Sequence, residues 1–338
     1  MKRILLTALS TLLAGTSLAS AEDVAAFYAG KSIRMVVGID VGSGYDINAR
    51  LLARYLPAHI PGHPSFIVQN QPGAGSATMT SQLYAVGPFD GTVIGAAFAG
   101  MPTLPLLQPG GTRFDPTRLI WLGNTNRETH VSYVWHTSPV QSLAEARTRE
   151  LITGAQGPGT SQYDFPLVAD ALLGFMFRVV SGYQSTSKIN LALESGEVQG
   201  TVAAWTTVKT LSSEWLKEGK IKLIAQWALR SNPELAGVPN VLDVASTDQE
   251  RDALRLVLAR LDIGRPFFLP PNVPSDRVAA LRAAFDATMK DPAYLAEAEK
   301  LKIDVDPLTG QELADLVVQV SKTPADTTAR VRAALEHK

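Results

Sequence analysis

Glycine and short polar side chains crowd one place near the start of the chain, Gly42-Ser43-Gly44-Tyr45-Asp46. The apolar run Ile33-Arg34-Met35-Val36-Val37-Gly38 precedes them. Ile47, Leu51, Leu52, Tyr55 and Leu56 follow at helical spacing. The pattern reads as a strand, a turn and a helix start. The first N–H groups of a helix lack intrahelical acceptors, and the helix dipole adds partial positive charge there. Such a turn suits an anion, either carboxylate or phosphate. From Asp40 to Asp46 there is no basic side chain, so the loop itself offers only backbone and hydroxyl groups. Asp46 reads as a cap or as the residue that orients the loop.

Two further loops have the same character. Gly73-Ala74-Gly75-Ser76 and Gly157-Pro158-Gly159-Thr160-Ser161 each follow an apolar run and lead into a helical pattern. A single Gly-rich turn is common for steric reasons alone. Three of them, spread over two series of elements, point to facing anion sites at strand ends, where open α/β sheets bind ligands. Tyr45, Phe98, Tyr163, Phe165 and Trp205 fall at or beside strand ends and would suit a cleft wall for a flat or apolar acid. Arg127 reads as a surface residue or as a carboxylate partner.

Other chemistries fit poorly. A G-x-G-x-x-G fingerprint fails because position 47 is Ile, and no G-x-x-x-x-G-K-[ST] occurs. The G-x-S-x-G elbow fails around Ser161, because Gly159 is followed by Tyr163 where the second glycine belongs. An exported hydrolase using Ser43 stays an alternative, without a base that any motif positions. His59 and His63 have i,i+4 spacing, but Pro61-Gly62 between them breaks a helix. The chain has no cysteine, which excludes disulfides and thiolate metal sites. No cofactor or metal is expected.

The elements that must position these loops alternate between strand-like and helix-like, as in an α/β protein with largely parallel sheets. Expected strands include Phe66–Asn70, Val93–Phe98, Leu119–Leu122, Leu151–Ala155, Phe177–Val180, Gly200–Ala204, Ile221–Gln226 and Ile263–Leu269. Ser142-Leu143-Ala144-Glu145 and Thr309-Gly310-Gln311-Glu312 have the form of capping boxes that open helices. Crossovers near Leu122–Asn124 and Gln226–Ser231 would give a discontinuous first lobe, 22–123 plus 228–338, and a second lobe, 124–227.

Residues 1–21 read as a secretory signal peptide, with Lys2 and Arg3, an apolar stretch and Ala19-Ser20-Ala21. The formal charge is −1, and −3 without Lys2 and Arg3. That balance gives no reason to expect nucleic acid as a partner. The expected product is a soluble, monomeric protein of the periplasm.

These loops resemble the tripartite tricarboxylate transporter receptor family, the Bug-type periplasmic solute-binding proteins. The resemblance rests on Tyr28-Ala29-Gly30-Lys31-Ser32-Ile33, Gly42-Ser43-Gly44-Tyr45-Asp46 and Asn70-Gln71-Pro72-Gly73-Ala74-Gly75. It continues through Pro88-Phe89-Asp90-Gly91-Thr92, Gly157-Pro158-Gly159-Thr160-Ser161, Gly196-Glu197-Val198 and Phe268-Leu269-Pro270-Pro271. It implies a type II periplasmic-binding-protein fold, with two α/β lobes joined by a two-crossover hinge and a small carboxylate in the cleft between them. It implies delivery of that ligand to an integral membrane permease. A sensor subunit for a membrane signalling protein would use the same site. The implied binding residues are Gly42, Ser43, Gly44, Tyr45, Asp46, Gly73, Ala74, Gly75, Phe98, Gly159, Thr160, Ser161, Tyr183, Ala204 and Trp205. The chain departs from the family at Ala203-Ala204-Trp205, where an acidic residue is usual, and at Gly182-Tyr183-Gln184, where a cation is usual. The first departure removes the usual counter-charge of an amino group and so disfavours an amino-acid ligand; the second removes a cationic neighbour. Together with the aromatics, they favour an aromatic or otherwise apolar carboxylate.

Overall fold

The computed structural model describes residues 24–108, 110, 112–183 and 185–336. The signal segment 1–21 and Gln184 lie outside the described residues. Packing divides the chain into two units. The first takes residues through Pro105, Gly110–Asn126 and Gly264–Val317; the second takes the short piece starting at Leu106, Arg127–Ile263, and the chain from Val318 onward. Residues 228–263 and 318–336, assigned to lobe 1 on sequence grounds, pack here with the second unit. Among the described residues, no helix is long and apolar enough to cross a membrane.

The first unit is built on a six-stranded sheet. Its strands are β1 (Ser32–Val37), β2 (Ser65–Asn70), β3 (Val93–Ala96) and β4 (Ile120–Asn124), with β10 (Pro266–Leu269) and β11 (Leu308–Thr309) from later in the chain. The order is β11-β4-β10-β3-β1-β2. β1 runs parallel to β2 and β3, while β10 runs antiparallel to both β3 and β4. β1 is apolar because it lies inside the sheet, between β3 and β2. Ile33, Met35 and Val37 share a cluster with Leu51, Leu52 and Leu56, and with Phe267, Leu269, Leu281 and Phe285. Burial on both faces explains the nearly unbroken Met35-Val36-Val37 run.

The second unit holds a five-stranded sheet. Its strands are β5 (His130–Trp135), β6 (Leu151–Ala155), β7 (Phe177–Ser181), β8 (Gly200–Ala204) and β9 (Ile221–Trp227), in the order β7-β6-β8-β5-β9. β6 is parallel to β7 and β8; β5 is antiparallel to β8 and β9. Both sheets are therefore mixed α/β sheets, not largely parallel ones. In each, a strand next to a junction between the units, β10 or β5, is inserted against the direction of its neighbours. The helix Asp248–Ile263, absent from the sequence expectation, buries Leu254, Leu258 and Leu261 and packs against the helix Ala325–Glu336. It also shortens the expected strand Ile263–Leu269 to Pro266–Leu269.

The centre of the first sheet leaves no room at β3. A Cβ on Gly95 would lie 2.4 Å from Cζ of Phe268, a fully buried ring of β10. Overpacking of this kind costs about 1–3 kcal/mol. Gly95→Ala is expected to lower the denaturation midpoint, and Phe268→Leu in the same chain to restore part of the loss. Chemical denaturation followed by circular dichroism checks it; an unchanged midpoint in Gly95→Ala contradicts this packing.

Candidate functional site

The first loop closes on one carboxylate. Ser43 is the N-cap of the helix Gly44–Tyr55, and its Oγ accepts from the N–H of Asp46 at 3.2 Å. Asp46, in the first turn, is 2% exposed. Its oxygens accept from the N–H of Gly42 at 2.8 Å, from Nε of Arg50 at 3.0 Å and from Nδ2 of Asn70 at 2.8 Å. Asn70 also donates to the carbonyl of Ile39, and Arg50 donates through Nη2 to Oδ1 of Asn70. The loop is thus tied to the end of β2 as well as to its own helix. Burial opposes the charge on Asp46, but the hydrogen bonds from Arg50, Gly42 and Asn70, with the charge of Arg50, outweigh it and hold the carboxyl below its ordinary range. Asp46 has the orienting role expected of it.

What this scaffold leaves outward is Gly44, exposed at the helix start, beside a half-buried aromatic pair. The rings of Tyr45 and Phe98 are 5.6 Å apart at a tilt of 60°. The Tyr45 hydroxyl accepts from the N–H of Ala99 at 3.3 Å. Phe98 is placed by Ser76, whose Oγ accepts from the Phe98 N–H at 2.9 Å and donates to the Gly38 carbonyl at 3.1 Å. Ala74, Gly75 and Ser76 all take left-handed backbone, with φ of 46°, 59° and 72°. For Ala74 and Ser76 that conformation carries strain, of about 1 kcal/mol or more each. Phe98 Cδ1 lies 3.7 Å from where a Gly75 Cβ would sit. The expected residues Gly42–Asp46, Gly73–Gly75 and Phe98 therefore meet at the carboxyl ends of the parallel strands β1, β2 and β3. The hydroxyl of Ser76 is used by the scaffold.

One residue that sequence reasoning missed stands at this loop. Arg265, just before β10, carries its guanidinium 5.3 Å from the centre of the Tyr45 ring. Its Nη2 is 3.2 Å from the position of a Cβ on Gly44. No local motif announces a partner so far along the chain.

The second unit repeats the carboxylate device. Asp164, in the first turn of the helix Ser161–Leu173, accepts from the N–H of Gly159 at 3.0 Å and from Nη1 of Arg260 at 2.8 Å. The same Nη1 donates to the Gly159 carbonyl at 3.3 Å. Arg260 lies over the Phe165 ring at 4.7 Å, and Phe165 stacks on Trp227 at 5.0 Å. The Thr160 hydroxyl donates within its own loop, to the Gly157 carbonyl at 2.7 Å; Ser161 begins the helix. The other expected residues have scaffold contacts. Tyr183 donates to Oε1 of Glu197 at 2.6 Å, and burial, with that carboxylate, pushes its phenol up to about 12. Ala204 stands at the N-cap position of the helix Trp205–Leu211 and makes no side-chain cap bond. Trp205 sits in the hydrophobic cluster of this unit and gives its indole N–H to Oε2 of Glu234 at 2.7 Å. Arg127 opens the unit, half-buried.

His59 pairs with Asp291 at 2.9 Å, and Nδ1 of His63 faces the Pro57 carbonyl at 3.2 Å. Among the described residues, no group of three or more His, Cys, Asp or Glu is arranged to hold a metal ion.

No family model matches the sequence. A curated relative, the UPF0065 protein in the gbd 5′ region of Cupriavidus necator, is 24% identical over 327 residues, 93% of this chain and 92% of its own. The crystal structure of a TctC solute-binding protein from Polaromonas matches with a TM-score of 0.70 at 18% identity, over 91% of this chain and 98% of that one. The fold is that of the TctC solute-binding proteins. The periplasmic binding protein BugD shares it, with a TM-score of 0.60 at 19% identity over 90% of this chain and 98% of its own. So does MatC from Rhodopseudomonas palustris, a structure with bound malate, at 0.57 and 18% over 90% and 99%. The resemblance read from the loops and the TctC-like architecture of the two units agree.

The Asp46 network generates a pH-dependent expectation. A carboxyl held below its ordinary range stabilises the fold above the unfolded-state value of about 3.9, and that contribution is lost as pH falls through the folded value. Asp46→Asn is expected to cost about 1–3 kcal/mol at neutral pH. The gap to the wild type should narrow below about pH 3.9. Urea denaturation at stepped pH measures both, and a gap that stays constant into acid contradicts the ionised network.

Proposed function

We propose that this chain is an extracytoplasmic receptor of the tripartite tricarboxylate type, which binds a small organic carboxylate and delivers it to an integral membrane permease. The observation that carries the reading is the first loop. A capped helix start presents exposed Gly44, the loop is locked from behind by Asp46, and the half-buried rings of Tyr45 and Phe98 flank it. The Gly159-Thr160-Ser161 loop, locked by Asp164, is its counterpart on the second unit in this reading. The TctC-like fold and the malate found in MatC support a carboxylate as the ligand. The Tyr45–Phe98 pair favours an acid with a flat or apolar body. Residues 1–21 would direct the chain to the periplasm.

Ser43 acts as a helix cap, its Oγ accepting from the Asp46 N–H, a scaffold role that accounts for its place between two glycines. The reading is therefore stoichiometric binding without turnover.

Two measurements test this. A thermal-shift panel of organic acids, their amides and amino acids is expected to show raised melting points with acids lacking an amine, since a ligand bound only to the folded state stabilises it. Shifts from amino acids alone, or steady ester turnover lost in Ser43→Ala, would reverse the assignment. Gly44 has helical backbone, so Gly44→Val is expected to keep the fold while its side chain fills the mouth of the loop. Titration calorimetry should then show affinity for the best acid reduced by about tenfold or more, the loss of one charge-assisted contact. Unchanged affinity places the ligand elsewhere.

A further inference from the structure

The edge of a sheet presents main-chain donors and acceptors that no neighbouring strand takes. Among the described residues, the two sheets end on β11, β2, β7 and β9. Three of these ends are blunted. β11 is only Leu308–Thr309. β7 carries exposed Arg178; β9 carries exposed Lys222 and is bridged at Gln226 by Asn240. β2 has none of these devices. Ser65-Phe66-Ile67-Val68-Gln69-Asn70 holds no charge and no proline, and Ile67 stands 48% exposed.

The register says which groups of β2 face outward. The N–H groups of Ser65 and Gln71 donate to the carbonyls of Lys31 and Val37, on the β1 side. Main-chain groups alternate in direction along a strand, so the N–H and C=O of Phe66 and Val68 point to the outer edge. Their side chains pack against the cluster that holds Leu51 and Leu52, on the side of the helix Gly44–Tyr55. A groove of about 580 Å³ runs there, lined by Ile47, Leu51, Phe66, Val68 and Leu301. Ile47 and Leu301 are exposed.

The charged side chains that line this groove are Arg50 and Arg54. Arg50 pairs with buried Asp46, so that pair shows its cation outward. Arg54 is more than half exposed and pairs with Glu297 through Nη2 at 2.9 Å. A guanidinium has five donors and can take a second carboxylate. Four residues on a helix rise about 6 Å. Alternate residues of an extended chain are about 6.6 Å apart. The two arginines therefore match the repeat of a strand.

We propose that the outer edge of β2 and this groove dock an extended segment of a partner protein, apolar at alternate positions and bearing carboxylates. The segment adds a strand to the first sheet, as in other cases of β-augmentation. Its main chain bonds to Phe66 and Val68, its alternate side chains enter the groove, and its carboxylates meet Arg50 and Arg54. A second copy of this chain laid antiparallel on β2 brings arginine against arginine, so the charge pattern selects an acidic partner.

The test pans the full chain against a displayed library of random short peptides and resynthesises the strongest binder. The recovered sequences are expected to alternate apolar residues and to contain aspartate or glutamate. Bound peptide should slow hydrogen exchange at the amides of Phe66 and Val68. N-methylation of one alternate set of peptide nitrogens should abolish binding, and methylation of the other set should leave it. Arg54→Glu should weaken the peptide about tenfold, the loss of one charge-assisted contact. Replacing the peptide's carboxylates by amines should recover part of that loss. An empty selection, binders without acidic residues, protection away from β2, or equal harm from both methylation patterns overturns the proposal. So does a concentration-dependent dimer of the chain alone that protects Phe66 and Val68, which makes the edge a self-association surface. The methylation and exchange experiments use the unaltered chain, so they decide even if Arg54→Glu does not fold. None of these readouts involves an organic acid, so their failure leaves the receptor reading standing.

Discussion

Asp46 is ionised where little water reaches it, and its donors make that tolerable. An unpaired buried carboxylate would cost several kcal/mol. Here Gly42, Arg50 and Asn70 converge on it from the loop, the helix and the end of β2. Because the three donors come from three elements, the carboxylate does more than cap a helix. It sets where the loop sits relative to the sheet, and hence where Gly44 and Tyr45 are presented. Removing the charge would leave a loop of glycine and serine with little else to define its path.

The second unit reaches the same solution with a different source of charge. Asp164 takes the Gly159 N–H as Asp46 takes that of Gly42, but its arginine comes from the helix Asp248–Ile263 and not from its own helix. The i,i+4 pair in the first unit is a local device. The Asp164–Arg260 pair ties its loop to a helix nearly a hundred positions later in the chain, which ends one residue before Gly264. Arg260 and Arg265 therefore leave a single short stretch of chain, each toward the Gly-rich loop of its own unit.

Much of this was legible in the sequence where short-range chemistry decides. Strand, turn and helix around Gly42–Asp46 could be read because cap, glycines and apolar spacing all lie within about two turns of chain. The box Thr309–Glu312 forms its reciprocal bonds and opens the helix Gly310–Ser321. The similar box Ser142–Glu145 also forms a bond, between Glu145 N–H and Ser142 Oγ, yet yields only the 3-10 turn Glu145–Arg147. A cap can start a helix but cannot supply the apolar face that extends it. Strand direction and the origin of Arg265 were not legible, since both depend on how distant segments pair. Trp205 was ambiguous for another reason: an aromatic at a strand end looks the same in sequence whether it lines a cleft or, as here, fills a core.

The division of the units along the chain has a consequence for how the protein is made. The first sheet receives β10 and β11 only after residue 263, and the helix Ala325–Glu336 braces the Ser161–Leu173 helix of the second unit. The first core cannot close while the ribosome is still working on the first three quarters of the sequence, and the second unit gains its brace only at the end. A newly made chain of this design stays unfinished, with apolar strands waiting for partners, until synthesis is nearly over. That delay exposes it to aggregation.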